Sequence, residues 1–188
     1  MNNARFQGLH SEGMGIIYIN YYMDKINEQI TNLKCSNRGG YKAPHKAIYL
    51  LSLIDLVELG IIKNKRFHVT EELINIFKIN WNRYVGNSRY FNCNIWNPIY
   101  YMELDVIFKV SDLDYDNQRP QCIERCLEVY KYFEFSPILW KALQNEHDRN
   151  EIKRLLIDTY IINNRCKNNS LMIKLIPLLI NSCYLLAI

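Results

Sequence analysis

Apolar residues recur at spacings of three and four in several separate stretches of this chain, and those stretches predict its helices. Met23-Asp24-Lys25-Ile26 opens an amphipathic pattern that runs on through Ile30 and Leu33. The strongest helix is expected from Pro44 to about Leu59, with Ala47, Leu50, Leu51, Ile54 and Val57 along one side and Gly60 as its stop. A short Arg66-Phe67-His68-Val69 segment leads to Thr70, which reads as the N-cap of a helix reaching about Arg83. Further on, Glu124 to Tyr132 predicts a short helix, and Ser136-Pro137 forms a cap and first turn for another that ends near Leu143. Asn150 to Ile161 places Ile152, Leu155, Leu156 and Thr159 on one side, with charges on the other.

Between Gly86 and Val110 the pattern changes. Aromatic residues and asparagines become dense, Pro98 is expected to break any helix, and Val106-Ile107-Phe108-Lys109-Val110 reads as a strand. The chain is therefore expected to be α+β and mainly helical, one compact domain with a small sheet or hairpin. A length of 188 residues suits a single core. The domain is placed at residues 23–161. Residues 1–22, with Gly8, Gly13 and Gly15 and no sustained period, read as an appendage without the features of a secretory signal. Residues 162–188 read as an apolar tail. Within it Leu171 to Ile188 is interrupted by Lys174, Pro177, Asn181 and Ser182, which favours a packing segment or the end of a truncated frame over a membrane span.

Composition narrows the class. At 49% hydrophobic and 22% charged residues the chain is globular in character. Its net charge of +4 is modest but polarised. Lys34 to Lys46 holds four basic residues and no acid, Lys63, Lys65 and Arg66 follow, and Leu73 to Met102 contains no carboxylate. Glu103, Asp105, Asp112, Asp114 and Asp116 crowd one later span. Such a domain could present a basic face opposite an acidic one, and a basic face suits a polyanion; scattered solvated charges would give the same counts. The cysteines Cys35, Cys93, Cys122, Cys126, Cys166 and Cys183 show no zinc spacing, and Cys122 and Cys126 fit a shared helix face. Reduced thiols point to the cytoplasm.

Arg38-Gly39-Gly40-Tyr41-Lys42-Ala43-Pro44-His45-Lys46 carries the most specific chemistry. A proline in a first helical turn leaves the following N–H groups free, and the helix dipole draws anions to that end. Two glycines permit close backbone approach, while Arg38, Lys42, His45 and Lys46 would supply cationic donors to a phosphate. A plain loop-to-helix junction with solvated lysines is the competing reading.

The run Ala43 to Leu56, beginning Ala-Pro-His-Lys and continuing as a leucine-rich helix, resembles the N-terminal domains of McrA-like HNH restriction endonucleases, including those that read phosphorothioated DNA. Trp96 to Val110 is similar to that family's proline-aromatic segment with its acidic turn and strand, and Phe135 to Ile161 resembles its closing helical pair. The resemblance covers roughly residues 23–161. It implies a recognition module for modified double-stranded DNA in a restriction system. Trp96, Pro98 and Tyr100 would wall a pocket for the sulfur, while Arg38, His45 and Lys46 would contact the modified backbone. Asn97 stands where the family often has tyrosine, and Ala47 where proline is common. Lys42, Asn97 and Arg119 complete the expected DNA contacts. Sulfur is larger and less strongly hydrated than oxygen, so an apolar pocket favours it while cations neutralise the backbone.

The nuclease itself is not expected in this chain. His10, His45, His68 and His147 lie far apart and form no local metal-and-base signature. His147-Asp148 reads as a polar pair at a helix start, and Asp112, Asp114 and Asp116 lack the glycine and glutamate of a calcium loop. No metal or other cofactor is expected. The alternative is an HNH-type endonuclease whose catalytic part is missing or supplied by a partner chain.

Overall fold

The fold is described from a computed structural model, which covers residues 22–102, 105, 108–110, 122–130 and 132–162. Helix α1 occupies residues 22–31. A hairpin of β1 (Asn37–Arg38) and β2 (Tyr41–Lys42) leads into α2 (His45–Glu58). Next come β3 (Arg66–Phe67), α3 (Glu71–Tyr84), α4 (Trp96–Tyr101), β4 (Phe108–Val110), α5 (Ile123–Val129), β5 (Phe133–Phe135), α6 (Pro137–Leu143) and α7 (Glu146–Ile157). The architecture is α+β and mainly helical, in one compact domain.

Helix α2 is the axis of the core. All residues from His45 to Ile54, and Leu56, are buried, so the one-sided stripe expected from Ala47, Leu50, Leu51 and Ile54 widens to include Ile48, Tyr49 and Leu53. A helix apolar all round must be enclosed, and α2 packs against α3, α4 and α7. Its few polar side chains are met from inside. Ser52 Oγ donates to the Ile48 carbonyl at 2.7 Å, while Asn80 of α3 donates to Asp55 at 2.7 Å. Lys153 of α7 pairs with both Asp55 and Glu58. One polar seam thus joins three helices, with its charges at the edge of the core. Gly60, at φ +67°, stops α2: its N–H reaches the Val57 carbonyl and the Ile61 N–H reaches Leu56, the paired bonds of a Schellman end.

Local capping explains most boundaries. Thr70 accepts from the Leu73 N–H, Ser136 from the Leu139 N–H and Asn145 from the Asp148 N–H. The Asn145 cap starts α7 four residues before the expected Asn150, and it brings Asp148 inside, where the buried Tyr22 hydroxyl donates to it. Beyond Ile157 one π-helical turn, Asp158–Ile162, points Tyr160 inward to donate to the Ile30 carbonyl at 2.6 Å. Both ends of α7 are thereby tied to α1.

Two further sequence expectations change. Pro98 does not break a helix but sits third in α4. There its missing N–H is one that has no intrahelical acceptor in any case. Helix α5 ends at Val129 rather than Tyr132, because the chain turns into β5. The strand expected over Val106–Val110 is seen at Phe108–Val110, and Val106 and Ile107 lie outside the described residues. Strand β5 lies between β3 and β4, antiparallel to both, with Phe67 opposite Phe133 and Phe108 opposite Phe135. Phe67, Phe133 and Phe135 form an aromatic seam beneath this sheet, with centroids 4.6 and 5.8 Å apart.

Candidate functional site

The β1–β2 hairpin turns through Gly39 and Gly40, at φ +60° and +83°, the positive pair that a two-residue type I′ turn requires. Gly39 has a second constraint. A Cβ there would lie 2.8 Å from the Tyr90 ring, which stacks on Tyr41 at 5.1 Å. The missing side chain lets the segment around Tyr90 close against the hairpin. Ser88 shapes that segment, its hydroxyl accepting from the Tyr90 and Phe91 N–H groups at 3.3 and 3.2 Å.

Between the hairpin, the start of α2 and the chain from Tyr90 to Tyr101 lies a cleft of about 940 Å³. Two stretches some fifty residues apart in sequence form it: Lys34, Cys35, Ser36, Arg38, Ala43, His45 and Lys46 on one side, and Tyr90, Phe91, Asn92, Asn94, Trp96, Asn97, Pro98 and Tyr101 on the other. Both stretches are carboxylate-free, and no acid is among the described residues that line the cleft. Lys34 and Arg38 are exposed, so their charges stand in solvent.

His45 and Lys46 serve differently. The Lys46 ammonium is buried and paired with the equally buried Asp105 carboxylate, whose other oxygen accepts from the Lys34 N–H at 3.2 Å. One member of the acidic span thus reaches the basic segment inside the protein instead of facing away from it. His45 is 8% exposed, with its ring 4.8 Å from Trp81 and 5.9 Å from Phe91. Its Nε2–H donates to the Asn92 carbonyl at 2.8 Å. Burial lowers its pKa below 6.5, and the charge on Arg38 adds to the effect. At neutral pH the ring is therefore uncharged, with Nδ1 as an acceptor.

A histidine kept neutral by the fold takes up its proton more readily when unfolded. Its contribution to stability is present above about pH 6.5 and is lost as pH falls through the lower folded pKa. Urea unfolding between pH 7.5 and 5 should show stability falling with pH, and His45→Gln should flatten that fall. Equal slopes in the two proteins would contradict the assignment.

Of the residues expected at the site, Arg38, His45, Lys46, Trp96, Asn97 and Pro98 meet in the cleft. Tyr100 is not among its lining residues; it packs edge-on against Tyr101, which is. Lys42 is also outside the lining, with its ammonium 5.3 Å from the centre of the Tyr160 ring. Arg119 lies outside the described residues, as do Asp112, Asp114 and Asp116. The sequence reading did not single out Lys34, Tyr90, Phe91, Asn92, Asn94 and Tyr101 as site residues. Lys34 was visible only as the first member of the basic segment, and the others only through the aromatic and asparagine density after Gly86, which names a region without selecting residues.

Cys35 lines the cleft, but burial pushes its thiol up to about 11, which leaves it a poor nucleophile at neutral pH. Cys122 is the exposed N-cap of α5 whereas Cys126 is buried, so the two differ in environment despite their spacing. Among the described residues no three His, Cys, Asp or Glu side chains cluster to hold a metal ion, and no helix is long and apolar enough to cross a membrane. No known family model matches this chain, and no curated protein shows detectable similarity to it.

Proposed function

We propose that the protein is a cytoplasmic recognition module that binds modified, phosphorothioated double-stranded DNA, with any cleavage performed by a partner chain of the same restriction system. The observation that carries this reading is the cleft itself, where two carboxylate-free segments converge to set exposed cations beside an aromatic and proline wall. Lys34 and Arg38 would neutralise backbone phosphates, a term that dominates affinity and weakens with salt. Trp96, backed by the buried Pro98, would offer sulfur a surface that costs a hydrated oxygen more than it costs sulfur. Buried Lys46 would act through shape, by holding the two walls at a fixed separation.

The test is a titration of the whole chain with two duplexes of one sequence, one phosphorothioated and one plain, at several salt concentrations. The phosphorothioated duplex should bind more tightly at every concentration, with affinity for both falling as salt rises. Equal and negligible binding of the two would overturn the reading.

A further inference from the structure

The cleft is far larger than one sulfur atom needs. A sulfur replacing a phosphate oxygen occupies on the order of the ~30 Å³ share of one water, whereas the cleft, at about 940 Å³, lies at the upper end of small-molecule pockets. Its lining is also richer than backbone binding requires. Tyr90, Trp96 and Tyr101 are only half-buried where they line the cleft. Polar groups beside them include Asn94, whose Oδ1 is shielded from solvent and has no donor, and His45, whose Nδ1 remains an acceptor because Nε2 is committed to Asn92.

We infer that this cleft receives a nucleobase extruded from the bound duplex, stacked on Trp96 and held at its edge by Asn94 and His45. The inference rests on the DNA-binding reading and gives that site its ligand. Planar aromatic surface is what an unstacked base loses on leaving the helix, and rings in the cleft restore it. Ring N–H and exocyclic amino groups of a base are donors, and Asn94 Oδ1 is an acceptor in want of one, which a turn of its side chain would have to bring to the cleft surface. The exposed Lys34 and Arg38 stand where the backbone flanking that nucleotide would run. Plain phosphate binding gives no use to the unpaired amide or to the depth of the cleft.

The experiment uses the whole chain and a duplex carrying 2-aminopurine beside the phosphorothioate, either paired with thymine or placed opposite an abasic site. A base without a partner is extruded at less cost, so the abasic duplex should bind about tenfold or more tightly than the paired one. Because 2-aminopurine brightens on leaving the stack and Trp96 quenches by contact, its emission in the complex should differ from that in the free duplex for both probes. Asn94→Leu should reduce the preference for the abasic duplex more than it reduces binding of the paired one. Tight binding with unchanged 2-aminopurine emission and no preference for the abasic duplex overturns base extrusion while leaving DNA binding intact. Failure to bind any of the duplexes overturns both.

Discussion

Lys46→Met should destabilise the fold by about 3–5 kcal/mol, the cost of leaving a buried carboxylate without its cation. In a chain of this size that corresponds to a fall in melting temperature of roughly 6–20 °C. The effect is large because Lys46 and Asp105 are both nearly closed to solvent, so neither charge is rehydrated when the other is removed. Asp105→Asn should be similarly costly. The double variant should recover most of the loss, since it removes both charges and keeps an amide oxygen for the Lys34 N–H. Urea unfolding of the four proteins measures this cycle, and single substitutions costing under about 1 kcal/mol would show that the pair is weaker than its burial implies. The consequence reaches function, because any weakening of DNA binding in Lys46→Met would come from a disturbed fold and closed walls, not from the absence of a phosphate ligand.

Removing the two exposed cations should have the opposite signature. Lys34→Ala with Arg38→Ala should leave the melting temperature nearly unchanged, since both side chains are exposed. Affinity for duplex DNA at low salt should fall by roughly tenfold per cation, and the slope of log affinity against log salt should become shallower by about 1.8, at ~0.9 for each phosphate no longer neutralised. Arg38→Ala alone should give about half of each change. An unaltered salt slope would place the phosphate-binding cations elsewhere on the molecule. Together the two experiments separate a residue that holds the cleft open from residues that meet the ligand in it.

What the sequence disclosed follows from the range over which each signal acts. Caps and stops are local, so Thr70, Ser136 and Gly60 were read in place and found in place. Periodicity set the start of α7 four residues late because Asn145-Glu146-His147-Asp148 is polar throughout and gives no hydrophobic period, although His147-Asp148 was read as a pair at a helix start and does lie in the first turn. Pro98 was misread because a proline signals a break only beyond the first turn, and nothing nearby in sequence marks Trp96 as a helix start. The enclosure of α2 is a tertiary fact. Spacing identified one apolar side, and only the packing of α3, α4 and α7 shows that the other sides are covered as well.

The site was legible in its residue types more than in their roles. Arg38, His45, Lys46, Trp96, Asn97 and Pro98 were singled out from two distant segments, and the fold brings them to one cleft. Lys46 looked like a free cation because Asp105 lies fifty-nine residues away and no local pattern links the two. His45 looked like a donor to phosphate because the Asn92 carbonyl that accepts its hydrogen bond lies forty-seven residues away. Asn94, one of several asparagines in its segment, could be noticed only once its oxygen was found without a partner.

The central claim is that this cleft recognises modified duplex DNA. A competition titration measures it most directly, with a labelled phosphorothioated duplex bound to the whole chain and displaced by unlabelled duplexes of the same sequence at fixed salt. Unlabelled phosphorothioated duplex should displace the label at a lower concentration than plain duplex, and the gap should narrow in Trp96→Ala. Displacement by both duplexes at the same concentration, with wild type and variant alike, would contradict that claim.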